Sequence, residues 1–200
     1  MKTYEYAGSL ATTPRSHPWT DARGRSDFRY YDFKTSPSMI RTALEDFVPW
    51  DRYPAVGTFY SLLEWLNGPS GTLESNDCAF SPPQGSEVSA VARTMECSGR
   101  LMILYRDLAL NIPLQNVMDL KEAFHHNLVE IDQAFEWGVV GTTIVPVRYI
   151  TLPVLEREQL GHQLMVSFWA WGDSEGEVMA NLGRVFENLS RALHRIGGQS

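Results

Sequence analysis

The chain has 200 residues, of which 44% are hydrophobic and 20% charged, and this balance excludes disorder as the main state. Twenty-four acidic residues against 17 basic ones give a net charge of -7, which argues against nucleic acid as a partner. No apolar stretch is long enough to cross a bilayer, and we expect neither a membrane partner nor a signal peptide. Two cysteines are too few for a disulfide framework, so we expect a cytoplasmic protein.

The first 27 residues predict a short strand at 3–6 followed by a flexible arm. Residues 11–27 show no apolar period and contain two prolines and a glycine. The aromatic-rich stretch 28–33 then predicts a strand. We therefore divide the chain into an N-terminal strand and arm, 1–27, and one domain, 28–200.

Two helices and three strands are predicted next. Ser36-Pro37 is typical of a helix start, and Pro49 would end that helix. A second helix is expected from about Thr58 to the Asn67-Gly68-Pro69 stop. Three strands follow at 72–80, 88–97 and 100–108, and Ser98-Gly99 predicts a hairpin between the last two.

The second half predicts two amphipathic helices around two strands. Asn116 is placed to cap a long helix whose apolar stripe is Val117, Leu120, Phe124, Leu128, Ile131 and Phe135. Strands are expected at 142–152 and 163–171, the first at an edge or bulged because Pro146 cannot donate a hydrogen bond. Ser174 and Glu177 form a capping box that begins the last helix. Its apolar face is Val178, Leu182, Val185, Leu189, Leu193 and Ile196.

This order predicts an α+β fold: an antiparallel sheet of about five to seven strands with helices packed on it. From residue 58 onward the order α-β-β-β-α-β-β-α resembles that of class I type III secretion chaperones, over about 140 residues and by element order alone. The resemblance implies a small acidic bacterial protein that binds a segment of an effector and forms a dimer.

Three groups of side chains could carry chemistry. Glu122, His126 and Glu130 share one helix face and could bind a metal, although a solvated acidic face with Glu–His pairs explains them without a metal and is favoured. Cys78 could be a nucleophile if a histidine lowered its pKa, or a small buried apolar residue. Arg106 and Asp107 are expected in an ion-pair network. We find no cofactor motif and expect no cofactor.

The strand 163–171 provides the best binding candidate. Met165, Trp169 and Trp171 share one of its sides, which is a docking surface if it is open and core if it is covered. Asp173, Glu175 and Glu177 follow it and would attract a basic or mixed partner.

Two functions remain open on this evidence. The first is a non-enzymatic protein-binding module, such as a secretion chaperone or a toxin-immunity protein, with a homodimer as a further possibility. The alternative is a small hydrolase that uses Cys78 or the face formed by Glu122, His126 and Glu130.

Overall fold

The computed structural model describes residues 1–5, 15–17, 32–86, 91–149 and 159–197. Within these ranges the fold is α+β, with one mostly antiparallel sheet and helices on one of its faces. The strands are β1 (Lys2–Glu5), β2 (Arg15–His17), β3 (Leu73–Gly85), β4 (Met95–Tyr105), β5 (Gly138–Tyr149) and β6 (Gln159–Gly172). The helices are α1 (Ile40–Ala43), α2 (Pro54–Leu66), α3 (Leu114–Glu130) and α4 (Glu175–Gly197).

The sheet is mixed, which corrects the prediction of a purely antiparallel one. Its order is β1-β5-β6-β4-β3, and both β1 and β2 pair with β5 in parallel. β2 lies inside the stretch predicted to be an arm, whereas the predicted strand 28–33 falls almost entirely outside the described residues. Local sequence patterns carry no information about such distant partners, so they could not predict this pairing.

Pro146 lies inside the sheet rather than in an edge strand. β5 pairs with β6 on one side and with β1 and β2 on the other. β1 pairs with 139–142 and β2 with 147–149, so the registers of both strands leave Pro146 out. Proline has no backbone N–H to donate, and among the described strands neither β1 nor β2 pairs with β5 at this position.

The predicted hairpin at Ser98-Gly99 is wrong, because β4 runs through both residues without a turn. Gly99 lies opposite Phe168 of β6. A Cβ on Gly99 would lie 2.5 Å from Cζ of the Phe168 ring and closer still to the Ala79 carbonyl oxygen. The glycine is there to admit this ring, not to turn the chain.

The helix expected from Ser36-Pro37 is mostly absent. Pro37–Met39 is a 3-10 turn, α1 has only four residues, and Ser36 makes no side-chain cap. The chain beyond α1 leaves the helical path, and Phe47 stacks on the rings of Phe59 and Phe80, with centroids 4.6 and 4.9 Å away. Burial of this ring outweighs the helical periodicity of the segment.

The predicted stripe of α3 is buried, but the helix begins and ends at other residues than predicted. It begins after Pro113, and Asn116 lies in its first turn, where the amide donates to the Leu110 carbonyl oxygen at 2.9 Å. It ends at Glu130 because Ile131 is extended, with φ of -91° and ψ of 126°, and Asp132 then takes a left-handed conformation, with φ of 53°. Ile131 and Phe135 are nevertheless buried in the core beyond its end.

α4 confirms its prediction and is the central helix of the core. The Glu177 N–H donates to the Ser174 hydroxyl at 3.2 Å, and the Glu177 carboxylate accepts from the Asp173 N–H at 2.9 Å. The predicted face packs against α2, α3 and β6, and its members from Val178 to Leu193 are buried. Among the described residues, none of the helices has the length and apolar composition needed to span a membrane.

Candidate functional site

The predicted binding strand is β6, and two of its three candidate side chains are buried. Met165 is 8% exposed and Trp171 is 7% exposed, while Trp169 is half-buried. Met165 packs with Met102 and Val145, and the Trp171 indole N–H donates to the Glu96 carboxylate at 3.0 Å. The alternative of an open aromatic surface is therefore wrong for Met165 and Trp171, which pack as core.

The predicted acidic residues are exposed or half-exposed, but they bind basic groups of the same chain. Asp173 and Glu177 both contact the Arg93 guanidinium, which also lies 3.9 Å from the ring centroid of Trp137. The hydrogen bond from Arg93 lowers the pKa of Asp173. Internal pairing of this kind reduces the charge that Asp173 and Glu177 offer to a partner.

Glu175 is bound in the same way at the start of α4. It accepts hydrogen bonds from the Tyr53 hydroxyl and from the Arg52 guanidinium, the latter at 2.8 Å. These two hydrogen bonds, that of Tyr53 first, lower the pKa of Glu175. Glu175 thus connects the start of α4 to the start of α2.

The three candidate metal ligands lie on the outer face of α3. Nε2 of His126 is 3.4 Å from Oε1 of Glu130, whose other oxygen accepts from Arg195 at 3.1 Å. Glu122 lies one turn before His126 and is exposed. Within the described ranges no three His, Cys, Asp or Glu side chains are grouped to hold a metal ion.

Cys78 does not have the surroundings of a nucleophile. It lies half-buried against the core, and burial raises the pKa of its thiol, with Asp77 and Asp46 adding to the effect. Burial also raises the pKa of Cys97 to about 12. Because the thiolate is the reactive form, both environments disfavour nucleophilic chemistry.

The expected network of Arg106 and Asp107 is replaced by two separate contacts. Arg106 donates to the carbonyls of Leu66 and Gly68, at 3.2 and 2.6 Å, and so caps the end of α2. The Asp107 side chain accepts from the Ala109 N–H at 3.1 Å. Both residues are therefore structural.

A groove of about 440 Å³ lies between the start of α2 and the outer face of α4. Tyr53 and Met179 line it together with two arginines, Arg184 and Arg191. Arg184 is held by Asp132 through two hydrogen bonds, so its charge is already compensated. The groove offers shape and mixed polarity but no set of converging reactive groups among the residues that line it.

Exposed apolar side chains gather at the start of α3. Of the five large apolar side chains that are exposed in the described residues, three lie between residues 110 and 118: Leu110, Leu114 and Met118. Their exposed fractions are 42, 45 and 36%, respectively. We call these three residues the apolar patch.

Two elements bring the apolar patch together. Leu114 and Met118 lie one turn apart on α3, and Leu110 is in the 3-10 turn that precedes the helix. The Asn116 amide donates to the Leu110 carbonyl oxygen at 2.9 Å, which holds this turn against the first turn of α3.

Sequence reasoning missed the apolar patch because it considered only the stripe that faces the core. Leu114 and Met118 lie outside that stripe, at a spacing of four residues. A second apolar row on an amphipathic helix is the signal that could have revealed it.

No family model, no curated protein and no solved structure matches this chain.

Proposed function

We propose that this chain is a non-enzymatic protein-binding module of the cytoplasm, in the manner of a secretion chaperone or a toxin-immunity protein. The observation that carries the proposal is the apolar patch. Single exposed apolar residues are ordinary, whereas three at one place mark an interaction surface. The apolar patch thus replaces the aromatic side of β6 as the docking surface that we propose.

Two further features support this choice. The element order predicted from the sequence resembles that of class I type III secretion chaperones, which bind a segment of another protein. The observed order from α2 onward, α-β-β-α-β-β-α, has one strand fewer. The raised pKa of Cys78 works against the alternative of a thiol hydrolase. The net charge of -7 favours a basic or mixed partner over an acidic one.

The test uses the proteins encoded by the genes adjacent to its own, because chaperones and immunity proteins are usually encoded beside their clients. Each is co-expressed with the full chain carrying a photo-crosslinking amino acid at position 118, and in parallel at Ser61, an exposed residue of α2. We expect one product to crosslink from 118 and not from 61. Leu114→Asp should then weaken its binding, measured with purified proteins, at least tenfold.

The oligomeric state is measured on the same samples by light scattering. If the chain forms a dimer that Leu114→Asp dissociates, the apolar patch joins two copies of this chain, and the proposal that it binds a different protein is wrong. If an adjacent product binds equally well to wild type and to Leu114→Asp, the chain binds a protein elsewhere and the proposed surface is wrong.

A further inference from the structure

The outward face of α3 changes from apolar to acidic along the helix. Its first two turns expose Leu114 and Met118, and the next turn exposes Asp119 and Glu122 beside the half-buried Lys121, which is bound elsewhere. At 1.5 Å per residue, Leu114 and Glu122 lie about 12 Å apart along the helix axis. The apolar patch therefore has an acidic extension in one direction.

The carboxylates of this extension differ from those at the start of α4. Asp119 accepts a hydrogen bond from the neutral amide of Gln115 at 2.7 Å. Glu122 makes no hydrogen bond or ion pair with the part of the chain that the structure describes. By contrast, Asp173 and Glu175 are each bound by an arginine. Asp119 and Glu122 thus keep their charge available to a partner.

We propose that the segment bound by the apolar patch carries apolar side chains followed by Lys or Arg, with the basic groups lying over Asp119 and Glu122. This inference rests on the proposed function and specifies the chemistry of its partner. The apolar part supplies buried area, and the charges fix the direction of the segment and speed its association. The separation of about 12 Å requires the basic residue about four positions from the apolar one in an extended segment, or about eight in a helix.

The probe is a phage-displayed library of random 12-residue peptides, selected on the full wild-type chain. Selected peptides are then sorted by whether they still bind Leu114→Asp, a variant whose fold is checked by thermal denaturation. We expect the peptides that depend on Leu114 to be enriched in Lys or Arg at the stated spacing. Glu122→Lys should weaken them by about tenfold, and 0.5 M salt should reduce the difference between wild type and Glu122→Lys.

Glu187→Lys is the matched control, because it reverses an exposed carboxylate of α4 and changes the net charge equally. It should leave binding within about twofold. If Leu114-dependent peptides are uncharged or acidic, or if Glu187→Lys weakens them as much as Glu122→Lys does, the basic partner is wrong while the docking surface stands. If no selected peptide depends on Leu114, both the inference and the proposed surface are wrong.

Discussion

Single side chains tie the end of α3 to α4. The Asp132 carboxylate accepts from Arg184, with Nη2 at 2.6 Å, and from the Asn188 amide at 3.3 Å. The hydrogen bond from Arg184 is the main reason that the pKa of Asp132 lies below its ordinary value. Since this residue also has a positive φ, it serves both the turn and the contact between the helices.

We predict that Asp132→Asn lowers the free energy of unfolding more at neutral pH than at low pH. Asn tolerates the left-handed conformation, so the change removes the charge and keeps the turn. A carboxyl whose pKa is lowered by folding stabilises the protein above its unfolded pKa of about 3.9, and this contribution is lost as the pH falls through the folded value. Urea denaturation should give a deficit of about 0.5–1 kcal/mol at pH 7.

The deficit of Asp132→Asn should shrink at pH 3, because the carboxyl of the unfolded wild type, with a pKa of about 3.9, is mostly protonated there. Glu136→Gln is the control, because this exposed carboxylate makes no ion pair within the described residues. Equal deficits for Asp132→Asn at pH 7 and pH 3 would show that the ion pair does not stabilise the fold.

At the scale of the elements, two glycines have opposite roles. Gly99 lies mid-strand under the Phe168 ring, whereas a Cβ on Gly57 in α2 would meet nothing within 4 Å. We predict that Gly99→Ala lowers the free energy of unfolding by about 1–3 kcal/mol, because the new methyl must displace both the Ala79 carbonyl oxygen and the Phe168 ring. Gly57→Ala should raise it by about 0.5–1 kcal/mol through the helix propensity of alanine. Chemical denaturation of both variants measures these free energies. If Gly99→Ala leaves the free energy of unfolding unchanged, Gly99 is not packed against its neighbours in β3 and β6.

The elements also show which patterns in the sequence were sufficient. Long amphipathic stripes predicted α3 and α4, because burial along one face determines both the pattern and the packing. The hairpin at Ser98-Gly99 failed because a glycine that makes room for a distant ring looks the same as a turn glycine. The helix at Ser36-Pro37 failed for a related reason, since Phe47 is placed by the rings that it meets.

The candidate site was predicted less well than the fold. The sequence correctly indicated an acidic face on α3, but not that Arg93 and Arg52 compensate the carboxylates after β6. Such pairs join residues far apart in the chain, so they become visible only once the fold is known.

At the scale of the whole molecule, the two faces of the sheet are both covered, but by different chemistry. One face meets the helices through the main apolar core. The other face buries two smaller apolar clusters, one of which contains Met102 and Met165, beside polar side chains that include Asn76 and Gln163. Among the described strands β3 is the last of the sheet, and its outer edge is restricted by Pro82 and Pro83 and by Asn67, whose side-chain oxygen accepts from the Ser75 N–H at 3.3 Å. Partner binding on α3 therefore fits the molecule better than addition of a strand at the β3 edge.

We predict that a substitution at Trp171 lowers stability and that one at Leu114 lowers binding. Because Trp171 is buried and its indole N–H is bound by Glu96, Trp171→Ala should cost about 3–5 kcal/mol of folding free energy. Trp171→Phe keeps most of the buried area and should cost less, since it mainly loses one hydrogen bond. Leu114→Asp alters an exposed site and should change stability by less than about 0.5 kcal/mol.

Urea denaturation of the three variants measures their stability, and their affinity for a Leu114-dependent peptide is measured on the same samples. Wild-type stability in Trp171→Ala together with lost binding would return the docking surface to β6, whereas a destabilised Trp171→Ala and a stable, non-binding Leu114→Asp would place it on α3.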